Sequence, residues 1–234
     1  MNIFHEVSKI TTGMLGLVFP KFCVACSNGL NATEEVLCLE CEFKLPRTDF
    51  HLDKENPVAK HFWGRIQIEN AFSFLLFQKG ESVQKLLHAL KYDDRQDVGV
   101  YLGKQFGFAI EEWVRETDIS CIVPVPLHPK KEFKRGYNQC NSIADGLSEV
   151  LDLPAEKQAV QRIIETITQT GKDRFDRWEN VEGIFEVAQP DKIKDKHILL
   201  IDDVVTTGST LEACATEILK LEGTKVTLAT IASA

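Results

Sequence analysis

Four short runs of nearly unbroken apolar residues constrain this chain more than any other feature: residues 71–77, 119–125, 197–201 and 226–231. A strand with one wet face alternates apolar and polar side chains. An unbroken run reads instead as a strand covered on both faces. Between the runs lie stripes at helical spacing. They are Val83, Leu86, Leu87 and Leu90; Val98, Leu102, Phe106, Ala109, Ile110 and Trp113; Cys140, Ile143, Ala144, Leu147 and Leu151; and Leu211, Cys214, Ala215, Ile218 and Leu219, closed by Gly223. Strands alternating with helices in this way predict an α/β domain, a parallel sheet flanked by helices.

The chain has 234 residues, of which 44% are apolar and 26% charged, the profile of a globular protein with a real core. Its 27 basic and 35 acidic residues give a net charge of −8, which excludes a general cationic coat for nucleic acid but leaves room for a local basic patch. The apolar run at residues 14–19 stops at Pro20, too short to span a membrane. Glu6 before it, and Lys21 and Cys23 after it, spoil it as a secretory leader, so a cytoplasmic chain with no membrane insertion is expected. We place an N-terminal amphipathic helix and a cysteine module at 1–46, a linker or loop at 47–64 and the α/β domain at 65–234.

Cys23, Cys26, Cys38 and Cys41 form two C-x2-C pairs with eleven residues between them. Each pair can turn two thiolates onto one metal, and four thiolates suit tetrahedral Zn2+ in a closed, structural site. Two disulfides, four free thiols and a redox role for one pair are the alternatives. A module this small has little core of its own, so ligation would supply its stability. Cys121, Cys140 and Cys214 fall within apolar stripes and read as core, without thiol chemistry.

The most specific stretch runs from Ile198 to Thr210. An apolar strand delivers Asp202 and Asp203 to its carboxyl end, and Thr206, Thr207, Gly208, Ser209 and Thr210 then open a helix. Open α/β sheets bind ligands at this end of their strands. Hydroxyls and backbone N–H groups at a helix N-terminus form an anion cradle, and Gly208 lets the backbone approach closely. Carboxylates beside a bound phosphate are costly unless they grip something else, such as ribose hydroxyls or a divalent cation.

Two middle segments add to this. His128, Lys130, Lys131, Lys134 and Arg135 make the one dense basic cluster, a loop that either binds a polyanion or is simply solvated. Asn138 after it could cap the next helix. Further on, Thr166, Gln169, Arg174, Arg177, Asn180, Gly183 and Phe185 lie in a polar stretch with few core candidates, either a lid or a surface excursion.

The pattern Asp-Asp, two residues, Thr-Thr-Gly-x-Thr after an apolar strand resembles the signature of type I phosphoribosyltransferases for phosphoribosyl pyrophosphate (PRPP). That resemblance implies that Asp202 and Asp203 hold the ribose 2- and 3-hydroxyls, and that Thr206–Thr210 hold the 5-phosphate. It implies Mg2+ bridging the pyrophosphate and the ribose hydroxyls, and a hood at 166–185 that shields the sugar from water; His128, with the basic loop, either contacts the pyrophosphate or is a plain surface residue. The carboxylates would stabilise positive charge at the anomeric carbon, while Mg2+ offsets charge on the leaving group.

The order of motifs along the whole chain is more specific still. Pro20-x2-Cys-x2-Cys, Cys-x2-Cys, Leu90-Lys91-Tyr92, Pro124-Val125-Pro126-Leu127, Arg135-Gly136-Tyr137-Asn138-Gln139, and Thr166-x2-Gln169 with Arg177 and Asn180 all precede the Asp-Asp loop. This order resembles the ComF family, phosphoribosyltransferase-like proteins with an N-terminal zinc knuckle. The departures are Tyr137 for Phe, Lys172 for an apolar residue and Asp93-Asp94 where Gly is often found. The resemblance implies phosphoribosyl transfer or nucleoside metabolism linked to competence and DNA uptake. It makes PRPP, single-stranded DNA and a competence helicase the expected partners, with no glutaminase domain in this length. The alternative is a PRPP or nucleotide sensor that binds single-stranded DNA without turnover.

Overall fold

The computed structural model describes residues 21–164 and 183–234. The helix expected over residues 1–19 lies outside that range, as do Thr166, Gln169, Arg174, Arg177 and Asn180. Four strands form one sheet in the order β1-β6-β5-β2: β1 (Asn70–Leu76), β2 (Ile119–Pro124), β5 (His197–Val205) and β6 (Lys225–Ser233). Every pairing is parallel, as the unbroken apolar runs require. A separate antiparallel pair, β3 (Val160–Arg162) with β4 (Phe185–Val187), stands at the two ends of the expected hood segment.

Successive residues of β5 serve opposite faces. Leu199 and Ile201 join a core with Phe72, Phe106, Ile143 and Leu147, while Ile198 and Leu200 join one with Leu211, Cys214 and Ile218. The first face is covered by α3 (Ser82–Tyr92), α4 (Gln96–Arg115) and α6 (Gln139–Leu151), the second by α7 (Ser209–Ile218) and the β3–β4 pair. Helices α4 and α6 approach closely because Gly103 and Gly146 face each other. A Cβ on Gly103 would strike the Ile143 carbonyl, and one on Gly146 the Val100 carbonyl. Burial of several large side chains on each face, at about 1.5–3 kcal/mol apiece, dominates the stability of the sheet.

Residues 47–64 do not form a loose linker. They contain a 3-10 turn (Phe50–Leu52) and α2 (Pro57–Lys60), and Val58, Ala59 and Phe62 are buried in the second core. Asn56 caps α2 through Oδ1, which accepts from Val58 N at 2.9 Å and Ala59 N at 3.0 Å, and its Nδ2 donates to Ala71 O of β1 at 2.8 Å. The polar composition of this stretch therefore reflects capping against the sheet. The cysteine segment is also docked: Cys23, Ala25, Val36, Leu37 and Leu45 share the first core with α3, α4 and β1. No described helix is long and apolar enough to cross a membrane.

Candidate functional site

Strand β5 continues past Ile201 to Val205, so both carboxylates stand inside the strand's last turn of pairing rather than beyond it. Asp203 is only 5% exposed. Its Oδ1 receives Lys91 Nζ at 2.9 Å and its Oδ2 receives Gln139 Nε2 at 2.7 Å. Asp202 is half-buried. Its Oδ1 accepts from Asp203 N at 2.8 Å and from Cys140 Sγ at 3.3 Å. Burial, with the Asp203 carboxylate beside it, pushes the Asp202 carboxyl up to about 7. Burial and then the Asp202 charge push the Cys140 thiol well above its usual range, so at neutral pH it is a donor and not a thiolate.

The loop from Thr206 to Thr210 follows at once. Thr206, Thr207, Ser209 and Thr210 are exposed, while Gly208 is buried. Gly208 is the N-cap of α7 at φ 76, a left-handed conformation natural to glycine. A Cβ there would lie 2.7 Å from the Phe62 ring. The backbone N–H groups of Thr206, Thr207, Gly208 and Thr210 have no hydrogen-bond partner among the described residues. Ser209 N meets Thr207 Oγ1 at a long 3.5 Å. Unpaired amides at the positive end of a helix, flanked by hydroxyls, are a cradle for an anionic group. Arg65 braces the loop from outside: its Nη1 donates to Thr207 O at 3.0 Å and to His61 O at 2.9 Å, and its Nη2 pairs with Glu212 of α7.

The C-terminal part of this architecture matches a known family. Residues 179–234 fit the phosphoribosyl transferase domain. Over 208 residues the chain is 26% identical to competence protein F of Haemophilus influenzae, covering 85% of this chain and 91% of that one. It is 28% identical over 202 residues to the DNA utilization protein YhgH of Escherichia coli K12, covering 85% of this chain and 84% of that one. Over most of its length the chain is thus similar to competence proteins of the ComF type. Among solved structures it is similar to a glutamine PRPP amidotransferase from B. subtilis, at 17% identity and a TM-score of 0.41, covering 62% of this chain and 30% of that one.

The second feature of the chain is the cysteine cluster. The Sγ atoms of Cys23, Cys26, Cys38 and Cys41 all lie within 4.8 Å of one another. Cys26 Sγ and Cys38 Sγ are 3.7 Å apart. A tetrahedron with Zn–S bonds of about 2.3 Å has edges of about 3.8 Å, whereas a disulfide needs about 2.05 Å. The cluster therefore fits a zinc module. Burial opposes ionisation of Cys23, but hydrogen bonds from the backbone of Cys38, Cys26 and Ala25 outweigh it and bring the thiol down to about 7. Cys41 is pushed far up by burial and by the neighbouring sulfurs. Gathered thiolates of this kind repel one another until a cation is shared among them. Glu34 holds the turn between the pairs, accepting from Asn31 N at 2.7 Å and Leu39 N at 2.8 Å.

The basic segment is a helix and not the expected loop. Pro129 opens α5 (Pro129–Arg135) and Gly136 closes it at φ 90. His128 is its N-cap, with Nδ1 accepting from Lys130 N at 3.3 Å. Pro after the cap and Gly at the end are ordinary helix punctuation, which the charge of the segment masks. Asn138 caps α6 as anticipated, accepting from Cys140 N at 3.1 Å, and its Nδ2 donates to Val125 O at 3.0 Å. That cap places Gln139 and Cys140 against the acidic pair.

Lys91, Gln139, Cys140, Phe62 and Arg65 reach the site without having been expected there. Lys91 and Gln139 belong to motifs typical of the family, but nothing in their local spacing points to Asp203, 112 and 64 positions away. Cys140 sits on an apolar stripe and so passes for core. Arg65 meets Thr207 across 142 positions of sequence.

Proposed function

We propose that this chain binds PRPP in the cleft at the carboxyl end of β5 and acts as a phosphoribosyltransferase-like protein in the handling of incoming DNA. The reading rests on one observation: a buried acidic pair is followed directly by a run of unpaired backbone amides at the start of α7. In this reading Asp202 and Asp203 receive the ribose hydroxyls, and Thr206–Thr210 the 5-phosphate. The pyrophosphate points toward His128 and α5, accompanied by Mg2+. Transfer to an acceptor would develop positive charge at the anomeric carbon, where a carboxylate stabilises it. Calorimetry with PRPP and Mg2+ tests the binding. Wild type should bind, and Asp202→Asn with Asp203→Asn should weaken binding by about tenfold or more. Screening nucleobases and amines for pyrophosphate release then identifies the acceptor. The name of the relative in Haemophilus influenzae supports competence as the setting.

A second reading, a sensor that binds single-stranded DNA without turnover, is favoured by the face of α5. Phe133 is 92% exposed there and Tyr92, beneath Arg135 at 5.8 Å, is exposed as well. Aromatic rings among cations are what unpaired bases stack upon. Neutralising Lys134 and Arg135 with Phe133→Ala should then weaken salt-sensitive binding of an oligothymidine. Retained pyrophosphate release would support the transferase over the sensor.

A further inference from the structure

The acidic pair is an unusual place to bring a divalent cation, because its oxygens are already engaged. Lys91 and Gln139 take the two oxygens of Asp203, at 2.9 and 2.7 Å. Asp203 N and Cys140 Sγ take Oδ1 of Asp202, at 2.8 and 3.3 Å. Among the described residues only Asp202 Oδ2 receives no hydrogen bond. The other oxygens keep a lone pair each, but Mg2+ reaching for those of Asp203 would sit beside the Lys91 ammonium, and Mg2+ gives up its waters reluctantly, so the pair is a poor inner ligand set. Direct ligation of Mg2+ by this pair does not fit the arrangement.

The cation that does sit there is held in place from several sides. Lys91 lies in the last turn of α3, and its side chain is 21% exposed. The preceding residue, Leu90, receives the Tyr137 hydroxyl on its carbonyl. The following residue, Tyr92, lies under the Arg135 guanidinium. Arg135 bonds Gln139, and Gln139 bonds Asp203. The ring closes on the same carboxylate that Lys91 contacts. A carboxylate this buried has lost most of its water, and the ring offsets that loss with a cation and a hydrogen bond in fixed geometry. A mere surface ion pair would have no such scaffold.

We infer that Lys91 is a built-in counter-ion and positioning residue of the acidic pair, taking the place a divalent cation would hold at Asp203. It orients that carboxylate and lowers the negative charge a phosphorylated sugar meets on entry. Metal accompanying the pyrophosphate would be held by the ligand's own oxygens and not by the carboxylates of the pair. The inference rests on the proposed PRPP site.

The test uses the full zinc-loaded chain. Mn2+ serves as a paramagnetic probe of the ligand-free protein. Lys91→Met should bind Mn2+ at the acidic pair about tenfold more tightly than wild type, and adding Asp203→Asn should abolish the gain. Millimolar Mg2+ should raise the melting midpoint of Lys91→Met and leave that of wild type unchanged, a response that loss of a purely structural ion pair would not give. PRPP affinity is then read by calorimetry in chelator and in Mg2+, each variant against wild type in the same buffer. Lys91→Met should lose about tenfold or more in chelator and recover in Mg2+, while Lys91→Arg should follow wild type. Equal Mn2+ affinity in wild type and Lys91→Met overturns the inference. So does PRPP binding that depends equally on Mg2+ in both proteins, an outcome that leaves the proposed function standing. No PRPP binding by folded wild type in either buffer overturns both.

Discussion

The cysteine module and the loop after β5 both gather groups suited to a charged ligand, but they are held in opposite ways. In the module the gathering groups are side chains on short irregular segments, with one five-residue helix, α1 (Leu39–Phe43). Its apolar residues, such as Val36 and Leu37, are few and lean on the larger core of the sheet. In the loop the gathering groups are backbone amides at the end of a strand whose apolar positions are buried on both faces. The module's shape should depend on its ligand, whereas the loop's shape is set by packing before any ligand arrives.

The largest effect should come from attacking the module. Cys38→Ser with Cys41→Ser should remove one zinc per chain in native mass spectrometry. It should also cost on the order of 5 kcal/mol of local stability. Hydrogen exchange should accelerate across residues 23–46 while β5 and β6 keep their protection. Melting of the sheet along with the module would break the contrast. The loop should respond next. Gly208→Ala forces a Cβ toward Phe62 at a positive φ, at a cost of about 1–3 kcal/mol read by denaturant titration. PRPP affinity should fall with it, and Phe62→Leu in the same chain should recover part of the stability.

The acidic pair offers a pH test of the same contrast. Folded Asp202 keeps its proton up to about 7, whereas an unfolded aspartate loses it near 4. The stability this group contributes is thus complete below about 4 and is lost as pH rises toward 7. Asp202→Asn should flatten that decline, gaining on the order of 2 kcal/mol over wild type between acid and neutral pH in thermal melts. No gain would mean that Lys91 and the amides already meet the charge in full. The smallest effect belongs at the opposite end of the sheet. Asp118 pairs with Lys225 at 2.8 Å and with His197 Nδ1 at 2.5 Å, and these partners hold its carboxyl down at about 2. Its contribution is present above about 4 and fades as pH falls toward 2. Because Asp118 is largely exposed, Asp118→Asn should cost less than about 1 kcal/mol at neutral pH and leave PRPP binding intact.

Much of this could be read along the chain. The four apolar runs match β1, β2, β5 and β6, and the stripes match α3, α4, α6 and α7, with Phe77, Val125 and Leu219 one residue past their elements. The Asp-Asp strand and its hydroxyl loop were legible because strand, turn and helix start are contiguous, so local spacing encodes their geometry. The doubled C-x2-C was legible for the same reason. Two segments misled. Residues 47–64 look like linker because capping residues such as Asn56 are polar, yet Phe62 is among the most buried side chains of the second core. The basic segment looks like a loop because charge hides its helix start at Pro129 and stop at Gly136.

By itself, then, the sequence determined a parallel α/β sheet, a four-thiol module and a loop of hydroxyls and amides beside two carboxylates, since each depends on neighbours a few residues apart. Only the tertiary structure decided what those carboxylates meet. Lys91 arrives from α3, Gln139 and Cys140 from α6, and Arg65 braces the loop from a segment far away in sequence. Such meetings depend on how helices pack across a sheet, and packing is a property of the whole core that no local spacing records.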